Sequence, residues 1–258
     1  DASLGRYLRR ARAAGIGRVV LLPAFHSDYS RANRELGRIV AGQPELFVGY
    51  AMVHAVRDAG RVGRMVGEAV EHYGFRGIKV HRHDARISRE ICEVARVFRL
   101  PILYDVMGET AVVELLATEY PDVPFIIPHL GSFADDWRAH IAVIDQLVRY
   151  PNVYTDTAGV RRFDYLVEAV RRAGPHKVLF GSDGPWLHPG VELAKVRALG
   201  LAPAAERQVL GGNVTRLLAG AASPPLPTPS VAGRIPEFAT AQPSLAARDP
   251  WASSPTPS

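Results

Sequence analysis

The 258-residue sequence predicts an α/β fold, a (β/α)8 TIM barrel of which seven strands can be found. Three observations predict it. Apolar runs of strand length alternate with helical patterns at intervals of about 25–30 residues, the unit size of such a barrel. The runs are apolar throughout, as in parallel strands covered on both faces. Polar residues cluster where the runs stop, most clearly in Lys177-Val-Leu-Phe-Gly-Ser-Asp-Gly-Pro-Trp186. In a parallel barrel the active site is built at the carboxyl ends of the strands. A doubly wound open sheet shares the alternation, but no glycine-rich phosphate loop comes after any of these strands.

The first element is a helix. Ser3 can cap it, and Leu4, Tyr7, Leu8 and Ala11 recur at helical spacing before it ends at Gly15 or Gly17. Strands are predicted at residues 18–24, 46–53, 77–81, 101–106, 124–129, 152–156 and 177–183. Helices are predicted between them at 31–41, 62–72, 87–98, 110–119, 137–149 and 163–172, and after them at 191–199 and 204–218. Asn213 falls inside the last pattern, where a buried hydrogen bond is its expected role. The barrel domain is thus expected over residues 1–220. From 221 to 258 the chain is rich in Pro, Ser and Ala without apolar periodicity, and is expected to be a disordered tail in which Trp251 is exposed.

Composition excludes several classes. The net charge of +5 and pI near 9.5 come from basic residues scattered along helical faces, so nucleic-acid binding is not expected. No apolar run is long enough to span a bilayer, and Arg6, Arg9, Arg10 and Arg12 interrupt the first turns where a signal peptide would be apolar. The single Cys92 excludes an intramolecular disulfide and fits a reducing cytoplasm; its amphipathic setting makes it a buried small hydrophobe. The expected partner is a small-molecule substrate, and a homo-oligomer is compatible with the pattern.

Side chains alternate along a strand, so in Gly77-Ile-Lys-Val-His-Arg-His-Asp84 the apolar Ile78 and Val80 face the helices while Lys79 and His81 point into the barrel. Only Lys79, Lys177 and Lys195 are lysines, in a chain that otherwise uses arginine. A buried Lys–Asp pair accounts for Lys79; a specific need for an amine that can lose its proton is the functional alternative. Asp105, His129, Asp156 and Asp183 close other runs at the same end. Imidazoles and carboxylates gathered there are costly unless they share a metal or protons, and such a donor set suits Zn²⁺ and other first-row divalent ions, Mn²⁺ included.

Gly77-Ile-Lys-Val-His81, Phe125-Ile-Ile-Pro-His-Leu-Gly131, Leu179-Phe-Gly-Ser-Asp-Gly-Pro185 and Leu210-Gly-Gly-Asn213 resemble the amidohydrolase-related family of metal-dependent TIM barrels. That group includes aminocarboxymuconate-semialdehyde and resorcylate-type decarboxylases as well as small-molecule hydrolases. The resemblance covers residues 4–219 and implies Asp183 as a metal ligand and catalytic residue, with His129 as the proton-transfer residue. The family opens on a strand carrying His-x-His; this chain opens on a helix, and Asp105 stands where the family usually has His. The expected metal set is therefore Asp183, Asp105 and His81, with Arg82 and Lys79 as substrate-binding candidates. A hydrolase or non-oxidative decarboxylase acting on a small acidic molecule is implied; the alternative is a catalytically silent barrel that binds a metabolite or a partner subunit. A missing first strand is expected to leave the runs at 18–24 and 177–180 facing a gap, and the chain by itself unstable.

Overall fold

The computed structural model describes residues 3–133 and 135–220, so the expected tail and Trp251 lie outside the described residues. Seven parallel strands form one curled sheet in chain order, an incomplete TIM barrel: β1 (Val19–Leu21), β2 (Phe47–Met52), β3 (Gly77–His81), β4 (Ile102–Asp105), β5 (Phe125–Ile127), β6 (Val153–Asp156) and β7 (Val178–Leu179). Helices α1 (Leu4–Ala13), α2 (Tyr29–Gly42), α3 (Val62–Tyr73), α4 (Arg89–Phe98), α5 (Ala111–Glu119), α6 (Trp137–Arg149), α7 (Phe163–Ala173) and α8 (Pro189–Ala198) alternate with them. Among the described residues no helix is long and apolar enough to cross a membrane.

Local chemistry sets the helix starts more sharply than periodicity does. Asp28 accepts from the Ser30 and Arg31 amides, so α2 begins at Tyr29 rather than residue 31. Ser88 accepts from Ile91 and moves the start of α4 to Arg89. The pattern at 204–218 is not one helix. A short α9 (Pro203–Arg207) runs into a π-helical turn at Gln208–Gly212, and α10 (Asn213–Ala219) comes next. Gly211 and Gly212 are poor helix formers, and the wide turn is where the axis is reset.

Two apolar layers hold the sheet. Outside, Ile78, Val80, Ile102, Phe125, Val153 and Val178 join the helices in the main core, together with fully buried Cys92. Inside, Leu217 and Leu218 of α10 pack against Val48, Tyr50, Ile126, Tyr154 and Leu179. This last helix plugs the interior at the end away from the site. Asn213 anchors it as expected, its amide donating to the Pro175 and Val178 carbonyls at 2.8 Å each.

Among the described residues β1 and β7 are the sheet edges, and both are short. The Phe180 amide, just past β7, donates to Val209 O at 2.8 Å. Two residues further on, Ser182 Oγ meets Tyr7 Oη of α1 at 2.7 Å, across 175 residues of sequence. Gly184 makes the approach possible, because a Cβ there would lie 2.0 Å from the Tyr7 ring. Contacts of helices and loops thus cover the carboxyl end of the last strand.

Candidate active site

Register builds the first part of the site. His81 and Asp105 are Cα partners across β3 and β4, so their side chains leave the sheet in the same direction. His81 Nδ1 accepts the His83 amide at 3.1 Å, which leaves the ring proton on Nε2, donated to Asp105 Oδ2 at 3.2 Å. The Met107 amide donates to the other carboxylate oxygen at 3.0 Å. Burial alone would raise Asp105. The His81 hydrogen bond and the charges of Lys79, His81 and His129 outweigh it and hold the carboxyl well below its usual range.

His129 is not on a strand. β5 stops at Ile127, because Pro128 has no amide to continue the ladder. His129 and Leu130 then take left-handed conformations, with φ of +57° and +50°. Such backbone costs on the order of 1–3 kcal/mol per residue and persists only where surroundings fix it. Here Asp156 Oδ1 accepts the His129 amide at 3.0 Å, and His140 Nδ1 donates to Leu130 O at 3.0 Å. The His129 ring is fixed as well: Nδ1 donates to Ala158 O at 2.8 Å, leaving the Nε2 lone pair directed at the site, 3.7 Å from Asp105 Oδ2. From α8, Lys195 donates to Thr157 O and Val160 O, and Glu192 accepts the Gly159 amide, pinning the loop that carries Ala158.

Lys79 lies below these groups, 7% exposed. Among the described residues it makes no ion pair or hydrogen bond, so the buried Lys–Asp pair expected from the sequence is not formed in contact. Burial pushes its ammonium down, and the charges of Asp105, Asp156 and Asp183 push it back up, with a net lowering. Asp156 is raised, first by burial and further by the charge of Asp183, against the pull of His129 and two amides.

Asp183 lies past β7, which ends at Leu179, in a left-handed turn with φ of +43°. Its charge reaches Lys79 and Asp156. Arg82 reaches Glu109, Nη2 to Oε1, at 2.6 Å, and among the described residues its buried Nε has no hydrogen-bond partner. The role of Asp156, as the acceptor that seats His129 and Ala158, was not assigned from sequence beyond its place at a strand end. Its signal was there: Asp in the middle of the apolar-flanked Val153-Tyr-Thr-Asp-Thr157.

The donors have the chemistry of a divalent-metal site. Two ligands bound to one zinc at 2.0–2.1 Å in tetrahedral geometry lie about 3.3 Å apart, close to the His81–Asp105 separation. Yet among the described residues no three His, Cys, Asp or Glu side chains are gathered as a metal site. The described residues fit part of a centre and not a whole one.

A parallel barrel with imidazoles and carboxylates at its strand ends defines a class of enzymes whose chemistry sits at the carboxyl face. A profile of the Amidohydrolase family matches residues 1–219, and the chain belongs to that family. Solved structures share the fold at low identity. 2,6-Dihydroxybenzoate decarboxylase from Rhizobium is 19% identical, with a TM-score of 0.66 over 85% of this chain and 88% of that one. A dihydroxybenzoic acid decarboxylase from Polaromonas sp. JS666, with bound manganese and the inhibitor 2-nitroresorcinol, is 18% identical, with a TM-score of 0.64 over 84% and 86%. An amidohydrolase from Burkholderia multivorans with bound HEPES is 15% identical, with a TM-score of 0.71 over 85% and 89%. No curated protein matches the chain.

Proposed function

We propose that this barrel is a non-oxidative decarboxylase or hydrolase of a small acidic molecule, with His129 as the proton-transfer residue. The observation that carries the reading is the fixed ring of His129. Its Nδ1–H is committed to Ala158 O, so Nε2 faces the site as a base when neutral and as an acid once protonated. Asp105 Oδ2 lies 3.7 Å from this atom. In decarboxylation the C–C electron pair stays on the substrate carbon, and the Nε2 proton is delivered there as CO₂ leaves. In hydrolysis the same atom takes the proton of the attacking water. The inward ammonium of Lys79 offsets negative charge on the substrate. Arg82 serves a carboxylate at the rim once Glu109 yields it.

Zn²⁺ or Mn²⁺ is the ion the family relationship suggests, and the Polaromonas structure contains manganese. Asp105 and Asp183 are the residues that would offer it ligands, joined by His81 once Nδ1 gives up the His83 amide and a ring lone pair is freed, and a bound ion would polarise a substrate oxygen or water. The favoured reaction is decarboxylation, in keeping with the decarboxylases that share the fold. The test is release of CO₂ from hydroxybenzoic acids by the purified chain, with and without added Zn²⁺ or Mn²⁺, alongside ester and lactone hydrolysis. Turnover that vanishes in His129→Gln supports the reading; no turnover of any acid under either condition would leave a silent binding barrel.

A further inference from the structure

A cleft beside the site has no part in the chemistry above. Phe25, His26, Tyr29, His54, Arg57 and His83 line a volume of about 450 Å³, within the range of small-molecule sites. It opens at the carboxyl ends of β1 and β2, next to His81. Phe25 forms the wall between: its ring stands edge-on to His81 at 4.9 Å and to His83 at 5.4 Å between centroids.

The backbone has fixed the polarity of this cleft. His54 Nδ1 accepts the Val56 and Arg57 amides at 3.2 and 3.1 Å, so the proton of its neutral ring sits on Nε2, which can only donate. The Arg57 guanidinium lies over the Tyr29 ring at 5.3 Å and holds the Ser27 and His26 carbonyls at 3.0 and 3.2 Å. Among the described residues no carboxylate pairs with it. The one carboxylate in the wall, Asp84, accepts the Tyr29 hydroxyl at 2.5 Å and is partly satisfied by it. A cation held by backbone carbonyls and not paired directly with a carboxylate, a ring nitrogen that can only donate and a flat apolar wall are arranged for an anion on a ring, with Asp84 already engaged by Tyr29. A divalent cation is disfavoured, because His54 spends its Nδ1 lone pair on the two backbone amides.

We infer that the cleft is an anchoring subsite for a carboxylate on an aromatic or other flat unsaturated ring, read by Arg57 and His54 and backed by Phe25. That the ring acid is the substrate rests on the proposed function. That the cleft binds such an acid rests on its own residues. Arg57 and His54 are therefore specificity residues, acting on a carboxylate other than the group that reacts near His129.

Titration of the full chain with benzoate and with benzamide, its uncharged counterpart, followed by NMR or calorimetry at low salt, tests this. Benzoate is expected to bind about tenfold more tightly, the effect of one or two charge-assisted hydrogen bonds. Arg57→Gln removes the preference, and Arg57→Lys keeps part of it. Because Arg57 also ties down the Phe25–Ser27 loop, His54→Asn is the second variant. Its side-chain oxygen can take over the two amide bonds, while its shorter amide N–H no longer reaches the position of the imidazole Nε2, and it weakens benzoate by about threefold to tenfold. Equal binding of the two probes, no binding of benzoate, or a preference that survives in both Arg57→Gln and His54→Asn overturns the inference. A benzoate preference in a protein that turns over no acid defeats the proposed function and leaves the subsite standing. Turnover of ring acids with KM unchanged in Arg57→Gln defeats the subsite and leaves the function.

Discussion

His129 Nε2 stands 3.7 Å from Asp105 Oδ2, beyond a hydrogen bond, while the opposite ring nitrogen is committed to Ala158 O. The imidazole is therefore fixed in place without being consumed by its neighbour. His129→Gln keeps a polar side chain there but cannot carry the proton. Turnover is expected to fall by about 10²–10⁴-fold, the contribution of general acid–base catalysis, while the melting temperature and ligand affinity stay close to the parent. Steady-state kinetics beside calorimetry check it, and a large loss of binding would make His129 a ligand-holding residue instead.

The interior plug depends on two adjacent leucines. Leu218 packs with Val48 and Tyr50, Leu217 with Ile126, Tyr154 and Leu179. Leu218→Ala should cost about 2–5 kcal/mol in urea unfolding, because the sheet around it is too rigid to collapse onto the void. A loss below about 1 kcal/mol would show that α10 contributes little to the interior.

Contact between α1 and the loop after β7 should be sensitive to single atoms. Tyr7→Phe removes the bond to Ser182 and is expected to cost about 0.5–1.5 kcal/mol. Gly184→Ala should cost more, since its Cβ would fall 2.0 Å from the Tyr7 ring and one of the two elements must move. The reverse order of the two melting temperatures would show that the loop shifts freely.

Three cationic residues meet near the amino end of β7. His176 is lowered first by burial and then by the charges of Lys177 and Arg216. Near pH 6.5 the unfolded chain therefore binds more protons at this position than the folded one. The contribution is fully present above the unfolded pKa of about 6.5 and is lost as pH falls from there through the lower pKa of the folded state. His176→Gln should flatten the pH dependence of stability between about pH 7 and 5 relative to the parent. Identical slopes for the two proteins would remove His176 from the account.

Cys92 reports on the outer core. It is fully buried, and burial pushes its thiol up to about 12. At pH 8 only about one in ten thousand such thiols is ionised, and access is closed as well. A disulfide reagent is expected to react with the folded chain only as fast as it opens, and promptly in denaturant. Rapid labelling under native conditions would mean that α4 opens readily.

Neighbouring residues and their alternation were enough to reveal the strands and their faces. Seven apolar runs at barrel spacing announced the parallel sheet, and the parity of Gly77-Ile-Lys-Val-His81 put Ile78 and Val80 outside and Lys79 inside. The amphipathic pattern placed Cys92 in the core, and Asn213 was legible as a buried hydrogen-bonding residue. Features that depend on residues far apart in the chain emerged only in three dimensions. Lys79 was expected to pair with an aspartate, but Asp105, Asp156 and Asp183 act on it only across space. His129 was read as the end of a strand, but Pro128 stops the ladder and Asp156, 27 residues on, turns the backbone the other way. The interior plug of α10 left no mark in a pattern whose apolar faces look alike whether they point in or out. The cleft of His54 and Arg57 was equally silent, because a histidine becomes a fixed donor only when folded backbone occupies its other nitrogen. Periodicity records which face is apolar, whereas contacts between distant strands and loops decide where each polar atom must point.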